Sequence, residues 1–223
     1  MKTQSWITLT AAVCGLIVAA GCATPFKYNP SHVQQYPAIA NNEGLEIVDG
    51  TDVRPKKERR PKWKPAAQQV VANALEDELT HAKLFQHVTV NVHDTVSSVS
   101  PQIPIAVAFR VKKLELFNDY KAGEVAGGAA LGLLGLPGVF IAASIPTKFV
   151  SDAEVEFEVF DMKTRRSVFV KTYSESRSLT QNAYKGQNPL FQQTSDVLEA
   201  VVTRFVKDLC ALPLCRQTVL TGT

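Results

Sequence analysis

Between residues 66 and 82, apolar side chains return at intervals of three and four, at Ala67, Val71, Ala74, Leu75, Leu79 and Ala82. That spacing lines them up on one stripe of a helix. Pro65 suits its start, where a missing N–H removes no helical bond. A second stripe, Leu198, Val201, Val202, Phe205 and Leu209, predicts a helix over 191–209, with Glu199, Arg204, Lys207 and Asp208 turned to water. Elsewhere the period is two. Val88, Val90 and Val92 predict a strand over 87–92, and Ile105, Val107, Phe109 and Val111 a longer one over 105–117. The phase of this longer strand slips at Lys112 and Lys113, after which Leu114 and Leu116 take the inward positions, so a bulge is expected there. Ala153, Val155, Phe157 and Val159 alternate with Glu154, Glu156 and Glu158, which gives a half-buried strand with a row of carboxylates on its outer face. The turn at 161–165 leads into a strand over 167–174, making a hairpin, and 45–48 reads as a short first strand. A polar loop with Gly186 and Pro189 precedes the last helix.

The order is strand, helix, strand, long strand, hairpin, helix. Two helices on one face of a mostly antiparallel sheet bury both apolar stripes at once, so an α+β domain over 45–215 is expected, followed by a tail over 216–223. Residues 122–148 stand apart from this pattern. Their centre, 125–145, is a run of 21 residues without a charge, with five glycines ahead of Val139 and a Pro137-Gly138 break. The run has the length of a membrane span. Its glycines and proline oppose one continuous helix, at about 1 kcal/mol for each glycine and 3 for proline relative to alanine. A span would also part the flanking strands. An apolar excursion that rests on lipid or in a partner's groove is expected, with Leu133, Leu134, Leu136 and Phe140 as contact residues, and folding back over the domain's own core is the alternative.

The amino terminus has a separate logic. Lys2, an uncharged apolar run over 6–20 and the small residues Ala19, Ala20 and Gly21 form the n-region, h-region and cleavage site of a secretory signal. About 15 apolar residues rise only roughly 22 Å as a helix, short of the ~30 Å hydrocarbon core. The segment Val18-Ala19-Ala20-Gly21-Cys22 resembles the lipobox of bacterial lipoproteins, although Ala19 stands where that family prefers leucine. The resemblance implies a signal over 1–21, cleavage, and acylation of Cys22. Two or more chains give stable anchoring. Ala23 follows the cysteine where aspartate would signal retention, and the same resemblance then implies the outer membrane. Residues 22–44, rich in Pro, Asn and Gln, read as a flexible tether with an average reach of about 25 Å.

Charge is unevenly spread. The strip from 54 to 64 carries Arg54, Lys56, Lys57, Arg59, Arg60, Lys62 and Lys64 against one acid, a local +6 in a chain of formal charge +3. The rest of the mature chain is mildly acidic. Trp63 sits among these cations, and an anionic lipid, an acidic partner or plain solvation would suit the strip, whereas export argues against nucleic acid. Cys14 leaves with the signal and Cys22 is used for lipid, so Cys210 and Cys215 remain. An even pair in an oxidising compartment reads as a disulfide closing a small loop, and two thiols without a nearby histidine supply only half a zinc shell.

Catalytic patterns are missing. There is no G-x-S-x-G elbow, no H-E-x-x-H and no phosphate loop, and the glycines at 127–135 lack a lysine. His87 and His93 lie about 20 Å apart on an extended strand, too far to share a metal. The Glu154, Glu156, Glu158 row reads as a solvated face that discourages edge pairing. Neither a cofactor nor a metal is expected.

The element order, with its lipobox, resembles small envelope lipoproteins of the YajG type, and more distantly the amino-terminal domain of TolB and the lipopolysaccharide-transport lipoprotein LptE. The resemblance spans about 48–209, rests on element order and the hairpin at Asp161, and implies a fold and an envelope setting but no functional residues. The expectation is an outer-membrane-anchored, non-enzymatic interaction or assembly component facing the periplasm. Its partners would be the membrane, through lipid, and an envelope protein. A periplasmic lipid or glycolipid carrier is the alternative.

Overall fold

A computed structural model describes residues 26–31, 36, 44–55, 66–118, 147–181 and 188–216. Strands β1 (Gly44–Asp52), β2 (His87–Asn91), β3 (Ile105–Asn118), β4 (Thr147–Asp161) and β5 (Arg166–Gln181) form one sheet in the order β2-β1-β3-β4-β5. Helices α1 (Ala67–Ala82) and α2 (Asn188–Ala211) pack on one face, and the short α3 (Pro213–Arg216) follows α2. This is the expected α+β arrangement. The long β3–β4 and β4–β5 ladders are antiparallel, while β1 runs parallel to both β2 and β3. Parallel pairing follows from connectivity, since α1 carries the chain from the top of β1 back to the foot of β2.

The alternation of the sequence decides which atoms fill the space between the layers. Ile105, Val107, Phe109, Val111, Val155, Phe157 and Val159 on the sheet are buried against Val71, Leu75 and Leu79 of α1 and Leu198, Val201, Val202, Phe205 and Leu209 of α2. Phe157 stacks on Phe205 with ring centroids 4.3 Å apart, and Tyr173 meets both rings edge-on. Each such pair adds about 0.5–1.5 kcal/mol beyond the area it buries.

The expected bulge is present. The β3–β4 register shifts between Val111 and Lys113, which returns Leu114 to the buried face. A second irregularity lies between Val48 and Gly50 of β1, where Asp49 has φ 46°. A Cβ at Gly50 would come within 2.6 Å of the Phe109 ring, so only glycine lets the strand pass this side chain.

The outer sheet face is partly covered. Val48, Ala106 and Met162 pack with Val99 from the β2–β3 connection, joined by Val96, Ile103 and Phe160. Pro189, read as part of a loop, lies in the first turn of α2, a position that proline tolerates. Among the described residues no helix is long and apolar enough to cross a membrane.

Candidate functional site

The largest departure from the sequence reading is the tether. Where described, at 26–31 and 36, it is not a free coil but lies along the two helices. Phe26 is buried and meets Phe191 of α2 edge-on at 5.7 Å. One turn further along α2, the Asn29 N–H donates to Ser195 Oγ (3.1 Å) and its side-chain amide to Gln192 Oε1 (2.9 Å). Gln192 Nε2 donates back to the Asn29 carbonyl at 3.1 Å. The backbone N–H and hydroxyl of Ser31 both donate to Glu199 Oε2 at 2.9 Å. Gln192, Ser195 and Glu199 recur at three and four, so a polar stripe of α2 holds this strand of chain while the apolar stripe holds the sheet.

The segment ends on a buried carboxylate. Glu78 is 1% exposed among the apolar side chains of α1. Its Oε1 accepts from the Tyr36 hydroxyl and from Thr203 Oγ1 (3.1 Å), which joins α1, α2 and the amino-terminal segment. Burial pushes the Tyr36 hydroxyl far above its ordinary pKa, and its bond to Glu78 adds to this. Burial, with Glu78 next, does the same to Tyr28. Both hydroxyls therefore stay neutral, and that of Tyr36 donates to Glu78. A carboxylate in a dry interface costs several kcal/mol unless bonded, so the partners of Glu78 are needed for the helices to meet there. Phe26, Tyr28 and Tyr36, three aromatics in an otherwise polar stretch, and Glu78, one acid on an apolar stripe, were the available signals.

Arg54 does not belong to a solvated basic strip. It is 3% exposed; its Nε and Nη2 donate to Asp52 Oδ1 (2.9 Å) and Oδ2 (2.8 Å), and Nη1 to the Leu114 carbonyl at 2.6 Å. The reason is geometric: Asp52 two residues earlier and the carbonyl beside the β3 bulge match the fork of a guanidinium. Lys56, Lys57, Arg59, Arg60, Lys62 and Lys64 lie outside the described residues, as do Cys22, Leu133, Leu134, Leu136 and Phe140. Cys210 and Cys215 are two buried free thiols, without the disulfide read from their spacing. Cys215 sits on the separate α3 turn, where burial alone accommodates it as a small apolar side chain. Burial raises the thiols to about 11 and about 12 respectively.

The acid row is engaged. Glu156 pairs with Lys112 (2.6 Å) and Arg110 (2.8 Å), and Glu158 lies 3.8 Å from Arg110. The bond to Lys112 is the main reason the Glu156 carboxyl sits below the ordinary range. An open cleft of about 380 Å³ beside α1 and β2 is lined by Gln69, Glu76, Val90, Asn91, His93 and Asp94. Among the described residues no group of three His, Cys, Asp or Glu is placed to hold a metal.

No known family model matches this chain, and no curated protein matches it. Solved structures of similar shape include a neuraminyllactose-binding hemagglutinin homolog from Helicobacter pylori, at 6% identity and TM-score 0.48 over 83% of this chain and 92% of that one. A DUF330 protein from Xanthomonas campestris aligns at 12% identity and TM-score 0.43, covering 81% and 89% of the two chains. Rare lipoprotein B from Shewanella oneidensis aligns at 8% and 0.37, covering 76% and 95%. At these identities and scores the likenesses carry no argument about function.

Proposed function

We propose that the chain is an exported lipoprotein of a Gram-negative envelope, cut before Cys22 and held by lipid at the periplasmic face of the outer membrane, where it serves as a non-enzymatic interaction or assembly component. One observation carries this reading: a basic residue, a short apolar run and three small residues stand directly before Cys22. The docked segment is compatible with it, since Phe26, four positions after that cysteine, packs against Phe191 of α2. In the acid row Glu156 and Glu158 are paired with cations of β3, which suits a structural role of these carboxylates better than acid/base chemistry. The lipid-carrier alternative meets a core filled by stacked rings, which an acyl chain lying between sheet and helices would have to displace.

Replacing Cys22 by serine tests the proposal. Expected are loss of acyl labelling and an uncut or mislocalised precursor. Normal labelling and membrane fractionation of the C22S protein would remove it. For the role itself, crosslinking in intact cells should yield a stoichiometric protein partner, whereas a stoichiometric lipid extracted from the purified protein would favour the carrier.

A further inference from the structure

The docked amino-terminal segment fixes which end of the domain faces the anchor. α2 runs antiparallel to β5: near its start Gln193 Nε2 donates to the Arg177 carbonyl at 2.5 Å, and near its finish Asp208 accepts from Lys171 and Tyr173. The first turns of α2 therefore lie at the end of the sheet where β3 and β5 finish and β4 begins, and Ser151 of β4 bonds Thr194 there at 3.1 Å. Phe26 lies against Phe191 at this same end, and the chain then descends past Ser195, Glu199 and Thr203 toward the foot of β1. Phe26 is four positions along the chain from Cys22, a distance of at most about 14 Å when fully extended.

We infer that the end of the domain formed by Phe26, Phe191 and the start of β4 is apposed to a lipid surface, with the sheet upright on it. This rests on acylation at Cys22. A free tether would let any face approach the bilayer; a docked one admits only this end. The cations Lys27 and Lys148, both exposed, sit at this end and suit phosphate headgroups. β4 has 15 residues, so the turn after Asp161 stands about 45 Å away at a strand rise near 3.3 Å.

The test uses the full acylated chain in vesicles of phosphatidylethanolamine and phosphatidylglycerol carrying a headgroup nitroxide. A fluorophore is placed on Lys27→Cys, Lys148→Cys or Lys163→Cys, the buried Cys210 and Cys215 reacting more slowly than these exposed sites. Quenching at 27 and 148 should exceed that at 163 several-fold. A spacer of roughly twenty Gly and Ser residues between Ala23 and Thr24, with an r.m.s. span of about 25 Å, leaves the folded domain untouched and should largely abolish the difference. Acylated, vesicle-bound protein with equal quenching at all three positions, or a difference that survives the spacer, overturns the orientation while leaving the anchor standing. Absence of acyl label and of vesicle binding overturns both.

Discussion

Arg54 shows how a residue's neighbours outweigh its place in a charge run. In the sequence it opens a series of cations; in the fold it closes a fork on Asp52 and caps the Leu114 carbonyl next to a bulge. No local pattern announces this, because its carbonyl acceptor lies 60 residues away and exists only once β3 has bulged. Arg54→Ala would take the largely buried guanidinium away from Asp52 and from the Leu114 carbonyl, so a loss of about 3 kcal/mol is expected, read as a lower urea midpoint. Arg54→Lys should recover less than half, since an ammonium cannot bond both Asp52 oxygens and the carbonyl in the same plane. Near-wild-type stability of the alanine variant would contradict this role. The two cysteines carry a second residue-scale prediction. With thiols raised to about 11 and about 12, the thiolate that attacks an alkylating reagent is scarce at neutral pH. The folded, reduced protein should react slowly at Cys210 and Cys215 and rapidly in denaturant. A native mass lower by two hydrogens would instead show that the pair closes on export.

At the scale of elements, α2 is tied to β5 by a charged seam as well as by its apolar stripe. Asp208 accepts from Lys171 Nζ at 2.6 Å and from the Tyr173 hydroxyl at 2.5 Å, and Arg204 reaches Glu175 at 2.9 Å. The bond to Lys171 comes first and that to Tyr173 second in holding Asp208 below the ordinary carboxylate range. A depressed folded pKa means that the ionised form stabilises the fold above the unfolded pKa, and that this contribution fades as pH falls toward the folded one. Asp208→Asn should therefore destabilise at pH 7 by no more than about 1 kcal/mol, because the pair is well exposed to solvent, and the difference should close at pH values below the ordinary carboxylate range. Melting curves of both proteins across pH test the sign; a gap that widens in acid refutes it. The element order was legible because the apolar periods are unambiguous: Phe157 and Phe205 occupy the positions that period two and period 3.6 assign to them. The bulge was legible as a phase slip at Lys112. The place of β1 between β2 and β3 was not, because the apolar pattern of a strand is the same whichever neighbours it takes, although a helix between β1 and β2 already sets those two strands parallel. The docked segment was missed for a related reason. Its bonds to α2 are made by backbone groups and by Asn29 and Ser31, residue types that also dominate free linkers.

For the molecule as a whole, the chain leaves the described domain for its unusual stretches from one half. The basic strip departs after Arg54, whose guanidinium bonds the Leu114 carbonyl, and the uncharged run departs after Asn118 and returns at Thr147. Asn118 pairs with Phe149, so the described strand ends that flank residues 119–146 lie side by side. These strand ends lie at the end of the sheet where Phe26 meets Phe191, and Phe26 is four positions along the chain from Cys22. If an acyl anchor on Cys22, the six cations and the apolar run all met the membrane they would act together, since a single acyl or electrostatic contact is marginal and two or more give stable attachment. The run is then expected to meet the lipid surface, or a partner held at that surface, through Leu133, Leu134, Leu136 and Phe140. Exposed there without cover, these side chains would make a larger apolar patch than monomers tolerate. Replacing all four by serine should weaken membrane or partner association, read by flotation at high salt, which screens the basic strip and leaves the apolar contribution. The Tm should move by only a few degrees, about 1 kcal/mol corresponding to roughly 2–4 °C in a domain of this size. A large drop in Tm with association intact would assign the run to the domain's own core, because removing four buried apolar side chains at about 1.5–3 kcal/mol each would exhaust most of its stability.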